Sequence, residues 1–162
     1  MRTVRHTSLT SRMCPQLLYD CVRPFQKCYW FVFRPYRPGA KTFVFYQGKL
    51  LLVRLGYSHK CWGLPGGGIE RGEEPVQAAI REVYEEAGVV LTDSTFVSDR
   101  TYTNQYKKVT VFYYEATVLT DDVVIDGQEI TDAGWFAFDA LPAEIRPRLL
   151  EEITMYTNWK YA

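Results

Sequence analysis

Apolar and polar residues change their spacing several times along this chain, and the changes outline its elements. From Thr42 to Tyr46 and from Lys49 to Val53 the chain is almost unbroken in aromatic, β-branched and leucine residues. Short runs of this kind bounded by turn residues read as strands, and the Gln47-Gly48 pair between them reads as a hairpin turn. The period then lengthens. Val76, Ala79, Ile80, Val83 and Ala87 recur at steps of three and four, as a helix with one buried face requires. Glu73, Glu74 and Pro75 stand where acidic residues and proline favour a first helical turn, and Gly88 follows where a left-handed cap would end it. Ser94–Thr103 and Lys107–Val118 return to strand-like runs around Asn104-Gln105-Tyr106, and Gly134–Phe138 makes a further strand. Ile145, Leu149, Leu150, Ile153 and Tyr156 are helical in spacing and should close the domain. Arg54 through Cys61 is expected to be a loop, and Asp121 to Gly127 an acidic one.

Ahead of these elements the pattern is weaker. Residues 1–12 carry no apolar period and read as disordered. From Pro15 to Phe33 the apolar content rises, with Pro15 placed to open a helix and Pro24 to break or kink it. This segment reads as a packing arm whose arginines stay wet, the alternative being a basic, aromatic helix for a membrane surface or a partner. Arg34 to Gly39 is a linker by composition. The organisation expected is therefore a basic arm over 1–37, partly disordered and partly helical, followed by one domain over 38–162.

Composition narrows the class. A chain of 162 residues with 47% hydrophobic content suits one domain with a sizeable core. The formal net charge is zero, so no global field recruits nucleic acid or membrane, and no nucleic-acid partner is expected. The charge is uneven, with eight Arg and Lys against Asp20 alone in residues 1–41. No apolar run has the length of a transmembrane helix or the core of a signal peptide. Cys14, Cys21 and Cys28 recur every seven residues, which suits buried small side chains better than a zinc site. We read a reduced, cytoplasmic protein. The acid-poor start from Met1 to Arg12 also has the composition of an organelle transit peptide, which ranks below a frayed terminus. A homodimer is left open.

The chemistry concentrates between Gly66 and Val89. Gly66, Gly67, Gly68 and Gly72 make a loop where backbone can approach a ligand without hindrance from Cβ atoms. On the helix that follows, Glu82, Glu85 and Glu86 are spaced so that their carboxylates project from one side. Three crowded anions destabilise a bare helix, and Arg81 alone cannot neutralise them. A hard divalent cation such as Mg²⁺ takes oxygen ligands of this kind, together with waters and substrate phosphates. The same spacing also fits a solvated acidic face.

Gly67, Glu73, Arg81, Glu82, Val83, Glu85, Glu86, Gly88 and Val89 reproduce the Nudix box, G-x5-E-x7-R-E-U-x-E-E-x-G-U with U aliphatic, at every defined position. The chain thus resembles the Nudix hydrolase family, most closely in the box and more loosely from Gly39 to Leu141. The resemblance implies an α/β fold, an α/β/α sandwich on a mixed, partly antiparallel sheet. It implies hydrolysis of a nucleoside diphosphate linked to another group, with Mg²⁺ or alternatively Mn²⁺ as cofactor. Glu82, Glu85 and Glu86 are carried over as metal ligands, and Gly66, Gly67, Gly68 and Arg54 are assigned to the substrate. Glu73, Arg81 and Gly88 are structural, with Glu73 and Arg81 fixing loop against helix by ion pairing. Glu129, in a run resembling the E-I-x-x-x-x-W-F pattern of many relatives, is a ligand or base reaching in from a loop.

The implied mechanism is water attack on phosphorus, the proton going to Glu82 or Glu129, with a lean to Glu82 because a helix holds its carboxylate more rigidly. Ser58 and Cys61 are not required as nucleophiles, and His59 and Lys60 read as surface loop residues. Markers of ADP-ribose, NADH and coenzyme A hydrolases are absent, and Tyr106 falls near the tyrosine of diadenosine polyphosphate hydrolases. A nucleoside triphosphate, a nucleotide sugar or a dinucleoside polyphosphate remains as small-molecule substrate. The rival reading is a non-catalytic nucleotide sensor on the same fold, although such modules usually lose box glutamates.

Overall fold

The computed structural model describes residues 36–56, 61–104, 107–125 and 129–162. Residues 1–35 of the arm expected over 1–37, the loop positions Ser58, His59 and Lys60, and Tyr106 and Gly127 lie outside them. In chain order the elements are β1 (Tyr36–Tyr46), β2 (Lys49–Leu55), β3 (Trp62–Gly63), β4 (Gly66–Gly68), α1 (Pro75–Ala87), β5 (Thr95–Asn104), β6 (Lys107–Thr117), β7 (Ile130–Phe136) and α2 (Pro147–Lys160).

The hairpin forms at Gln47-Gly48, both with positive φ (46° and 77°), which matches the twist of the flanking strands. Only the turn end of β1 and β2 is paired, Phe45 with Leu50 and Tyr46 with Lys49. Beyond it the two strands diverge. β1 takes up β4 (Ala40 opposite Gly67), while β2 takes up β3 (Val53 opposite Gly63). The segment from Trp62 to Gly68 is therefore wedged between two splayed strands, and this holds the glycine loop in place. On its other edge β1 runs parallel to β6 from Tyr36 through Phe45, β6 pairs antiparallel with β5, and β7 lies antiparallel along β2. The sheet is mixed, as expected.

Alternation along β1 and β2 sorts the core into two layers. Phe43, Phe45, Leu50 and Leu52 pack with Trp62, Leu149, Met155 and Tyr156 on the α2 face. Val44, Leu51 and Val53 pack with Val83, Ala87 and Ile130 on the α1 face. Ala40 meets Ala78 and Ala79, small residues that bring the helix close to the sheet. Each fully buried Val or Leu contributes ~1.5–3 kcal/mol, so both helices are held chiefly by these stripes.

α1 matches its predicted span. Glu74 is the extended N-cap, its backbone N–H donates to Gln77 Oε1 at 3.1 Å, and Pro75 opens the helix. Gly88 caps the end in the left-handed region with φ 67°. Four boundaries differ from expectation. The linker expected over 34–39 is strand from Tyr36 onward, because the parallel ladder to β6 recruits it. Arg54 and Leu55, expected in a loop, extend β2, and the strand expected at 134–138 begins at Ile130 and ends at Phe136, both under the pull of the β2–β7 ladder. α2 starts at Pro147 because Ile145 instead bridges to Trp62 and Arg146 serves as the N-cap.

Candidate active site

One arginine locks the glycine loop to α1. Arg81 Nε and Nη2 donate to the two carboxylate oxygens of Glu73 at 2.8 and 3.0 Å, and Nη2 also donates to the Gly68 carbonyl at 2.9 Å. Nη1 donates to Glu82 at 2.8 Å and to Glu85 at 2.9 Å. This paired, forked geometry is one that guanidinium supplies and an ammonium does not. Hydrogen bonds from Arg81 and from the Glu70 backbone hold the Glu73 carboxyl below its usual range. The loop, through Gly68 and Glu73, and the later turns of α1, through Glu82 and Glu85, thus share one cation.

Glu86 is placed differently. It lies buried at 9% exposure, and its Oε2 accepts from the Gly66 backbone N–H at 2.8 Å. Burial pushes its carboxyl up to about 7, the Gly66 N–H pulls it back, Glu82 adds to the rise and Arg146 opposes it. Burial also raises Glu82, against the pull of Arg81. Gly67 sits against the same group: a Cβ on it would lie 2.5 Å from the Glu82 carboxylate, so only glycine leaves that carboxylate where it is.

Glu82, Glu85, Glu86, Glu129 and Ile130 line a cleft of about 210 Å³. Glu129 reaches it from the head of β7, with its carbonyl accepting from Gly56 N–H at 2.9 Å, so its backbone is tied to the end of β2. Arg54 does not line this cleft. It belongs with Leu50 and Leu52 on the α2 side of β2, its guanidinium 4.8 Å from the Trp62 ring centre and 3.9 Å from Asp132. Trp62 and Leu64 are buried beneath the loop, as expected. Larger recesses among the described residues include one of about 330 Å³ around Thr92–Thr95 and Trp159 and one of about 430 Å³ around Tyr102, Arg148 and Glu152. Neither is lined by these carboxylates, and the density of like charge, not volume, marks the chemistry.

Two further charged groups near the loop carry no signal in the local sequence pattern. Lys41, opposite Gly66 across the β1–β4 ladder, donates to buried Glu152 of α2 at 2.7 Å, and Tyr113 donates to the same oxygen at 3.0 Å. Arg146 packs over Gly63. Only the fold brings either of them to the loop.

The donor set is all oxygen, which suits a hard divalent cation. Among the described residues the carboxylates do not converge into a ready-made three-ligand centre. Arg81 engages Glu82 and Glu85, while Glu86 accepts from the Gly66 N–H. Mg²⁺ needs only one or two protein carboxylates beside waters and phosphate oxygens, so the residues fit it.

A mixed sheet between two helices, with an acidic helix clamped to a glycine loop, defines the class as an α/β/α sandwich built around that helix. The chain belongs to the family described as NUDIX domain, whose model matches residues 35–155. It is similar to an RNA pyrophosphohydrolase of Bartonella clarridgeiae, 45% identical over 64 residues, covering 34% of this chain and 37% of that one. It is also similar to an NAD-capped RNA hydrolase, NudC, of Citrobacter koseri, 30% identical over 100 residues, covering 59% of this chain and 38% of that one. The chain thus spans well under half the length of these relatives. In fold it matches the crystal structure of a MutT NUDIX hydrolase from Burkholderia pseudomallei, with TM-score 0.67 and 24% identity over 74% of this chain and 97% of that one.

Proposed function

We propose that the protein hydrolyses the diphosphate linkage of a nucleoside diphosphate derivative, with Glu82, Glu85 and Glu86 as the residues that hold Mg²⁺ or Mn²⁺. The observation that carries this is four carboxylates facing one cleft beside a glycine loop, two of them paired with the Arg81 guanidinium. When bound, the cation neutralises the phosphates and acidifies the attacking water. The chain's own groups do the rest. The Gly66–Gly68 backbone leaves room for phosphate, Arg81 and Glu73 fix that loop against α1, and Glu82 or Glu129 accepts the proton of the water. No covalent nucleophile is needed.

Candidate substrates are nucleoside triphosphates, nucleotide sugars and dinucleoside polyphosphates. The relatives named RNA pyrophosphohydrolase and NAD-capped RNA hydrolase add RNA and NAD-capped RNA. No helix among the described residues is long and apolar enough to cross a membrane, and a cytoplasmic site of action, read from cysteine usage, is part of the proposal. The test is a panel of these compounds with Mg²⁺, with Mn²⁺ and with EDTA, read by product identity. Cation-dependent release of a phosphate-containing product from one class is expected. Binding without turnover across the panel would overturn hydrolysis in favour of a sensor.

A further inference from the structure

A diphosphate entering a cleft lined by four carboxylates needs a cationic contact from the protein as well as a metal. Arg81 is already engaged by Glu73, Glu82, Glu85 and the Gly68 carbonyl. The segment Glu144–Arg146 supplies another. It extends the sheet beside β3: Trp62 N–H donates to the Glu144 carbonyl at 2.7 Å, and Arg146 N–H donates to the Trp62 carbonyl at 2.8 Å. Gly63 stands opposite Val53, and residues opposite one another in an antiparallel ladder share a face. Val53 packs with Val83, Ala87 and Ile130, so the side chain that Gly63 lacks would project toward α1. Arg146 occupies that slot, its Cδ, Nε and Cζ lying 2.9, 3.1 and 3.5 Å from where a Gly63 Cβ would be. Ile130, which packs in the same layer as Val53, lines the carboxylate cleft, so the slot borders it. The ion pairs to Glu73, Glu82 and Glu85 are made by Arg81, and Arg146 takes no part in them.

We propose that Arg146 is a substrate-contacting residue at the border of this cleft, its guanidinium seated in the slot left by Gly63 and donating to non-bridging phosphate oxygens of the diphosphate. The assignment rests on the hydrolase reading above and deepens it: Arg81 is tied to the loop at Gly68, while Arg146 serves the substrate from the Gly63 side. A planar, forked donor suits a phosphate with two accessible oxygens. The absence of a side chain at Gly63 then has a function in binding as well as in packing.

The experiment uses the full chain and methylenediphosphonate, a diphosphate analogue that is not hydrolysed, titrated calorimetrically at saturating Mg²⁺. Arg146→Ala should weaken its Kd roughly 10- to 100-fold, as loss of a charge-assisted contact does, with an unchanged melting temperature. Arg146→Lys should recover part of the loss. Gly63→Ala, which pushes the guanidinium aside, should lose affinity in the same direction. With the best compound of the substrate panel, KM should rise by a similar factor while kcat changes less. If Arg146 only balances Glu86, Arg146→Ala will tighten Mg²⁺ binding and leave analogue affinity unchanged, which overturns the proposal. Failure of the wild-type protein to bind the analogue overturns it too. Analogue binding that depends on Arg146, with no panel compound hydrolysed, would uphold this contact while the hydrolytic reading fails.

Discussion

Glu86→Gln should stabilise the metal-free protein while weakening its response to Mg²⁺. Glu86 is nearly buried, and its carboxyl is pushed up to about 7 in the folded chain, chiefly by burial, from an ordinary 4.5. A raised carboxyl favours the protonated folded state, so its contribution is intact below about pH 4.5 and is lost as pH rises through about 7. At pH 8 the folded protein carries an ionised buried group at a cost of about 3 kcal/mol, falling to about 1 kcal/mol at pH 5. Glutamine removes the charge, keeps the shape, and its Oε1 can still accept from the Gly66 N–H. In EDTA at pH 8 the variant should therefore melt roughly 10 °C above wild type, and the gap should shrink toward pH 5. Added Mg²⁺ should raise the wild-type melting temperature at pH 8 and move the variant much less, because one ligand is gone. Thermal melts at the two pH values, with and without Mg²⁺, read all of this. A variant that melts at or below wild type in EDTA at pH 8 would refute the buried-charge argument. Such a trade, stability given up to keep an anion ready for a cation, is typical of functional sites.

Two other expectations follow from particular contacts. Gly67→Ala should cut turnover by about tenfold or more at saturating Mg²⁺, because its Cβ would lie 2.5 Å from the Glu82 carboxylate and must displace it; wild-type kcat in a folded variant would remove Glu82 from the chemistry. Between the two candidate bases, Glu129→Gln should lower kcat by ~10²–10⁴-fold with little change in Mg²⁺ affinity if Glu129 takes the proton. If Glu82 is the base, Glu82→Gln is the severe change instead, and equal small losses in both variants would exclude a single base.

Short-range codes made α1 legible from the sequence. The three-and-four spacing of Val76, Ala79, Ile80, Val83 and Ala87, proline at the first turn and Gly88 at the end each act within a few residues, and all appear where the pattern placed them. The same holds for the hairpin at Gln47-Gly48, where the backbone twist is decided inside the turn. Helix geometry alone also put Glu82, Glu85 and Glu86 on one side.

What the pattern could not reach was decided by partners distant in the chain. Tyr36 to Gly39 look like a linker until β6 offers a parallel ladder to pair with. Arg54, taken for the substrate, turns to the other face of β2 because strand alternation and the Trp62 ring place it there. Glu86 becomes a buried anion only when Gly66, carried in by the splayed strands, closes over it. Glu129 lines the cleft from the head of β7 and Arg146 enters the Gly63 slot from the segment before α2, neither of which shares a local period with the box. Helical and turn propensities are properties of neighbouring residues, but burial and electrostatic environment depend on which distant backbone fills the space around a side chain. The sequence therefore displayed the ligand-type residues of this site, and only the tertiary structure set which of them are buried, which are paired, and which cation faces them.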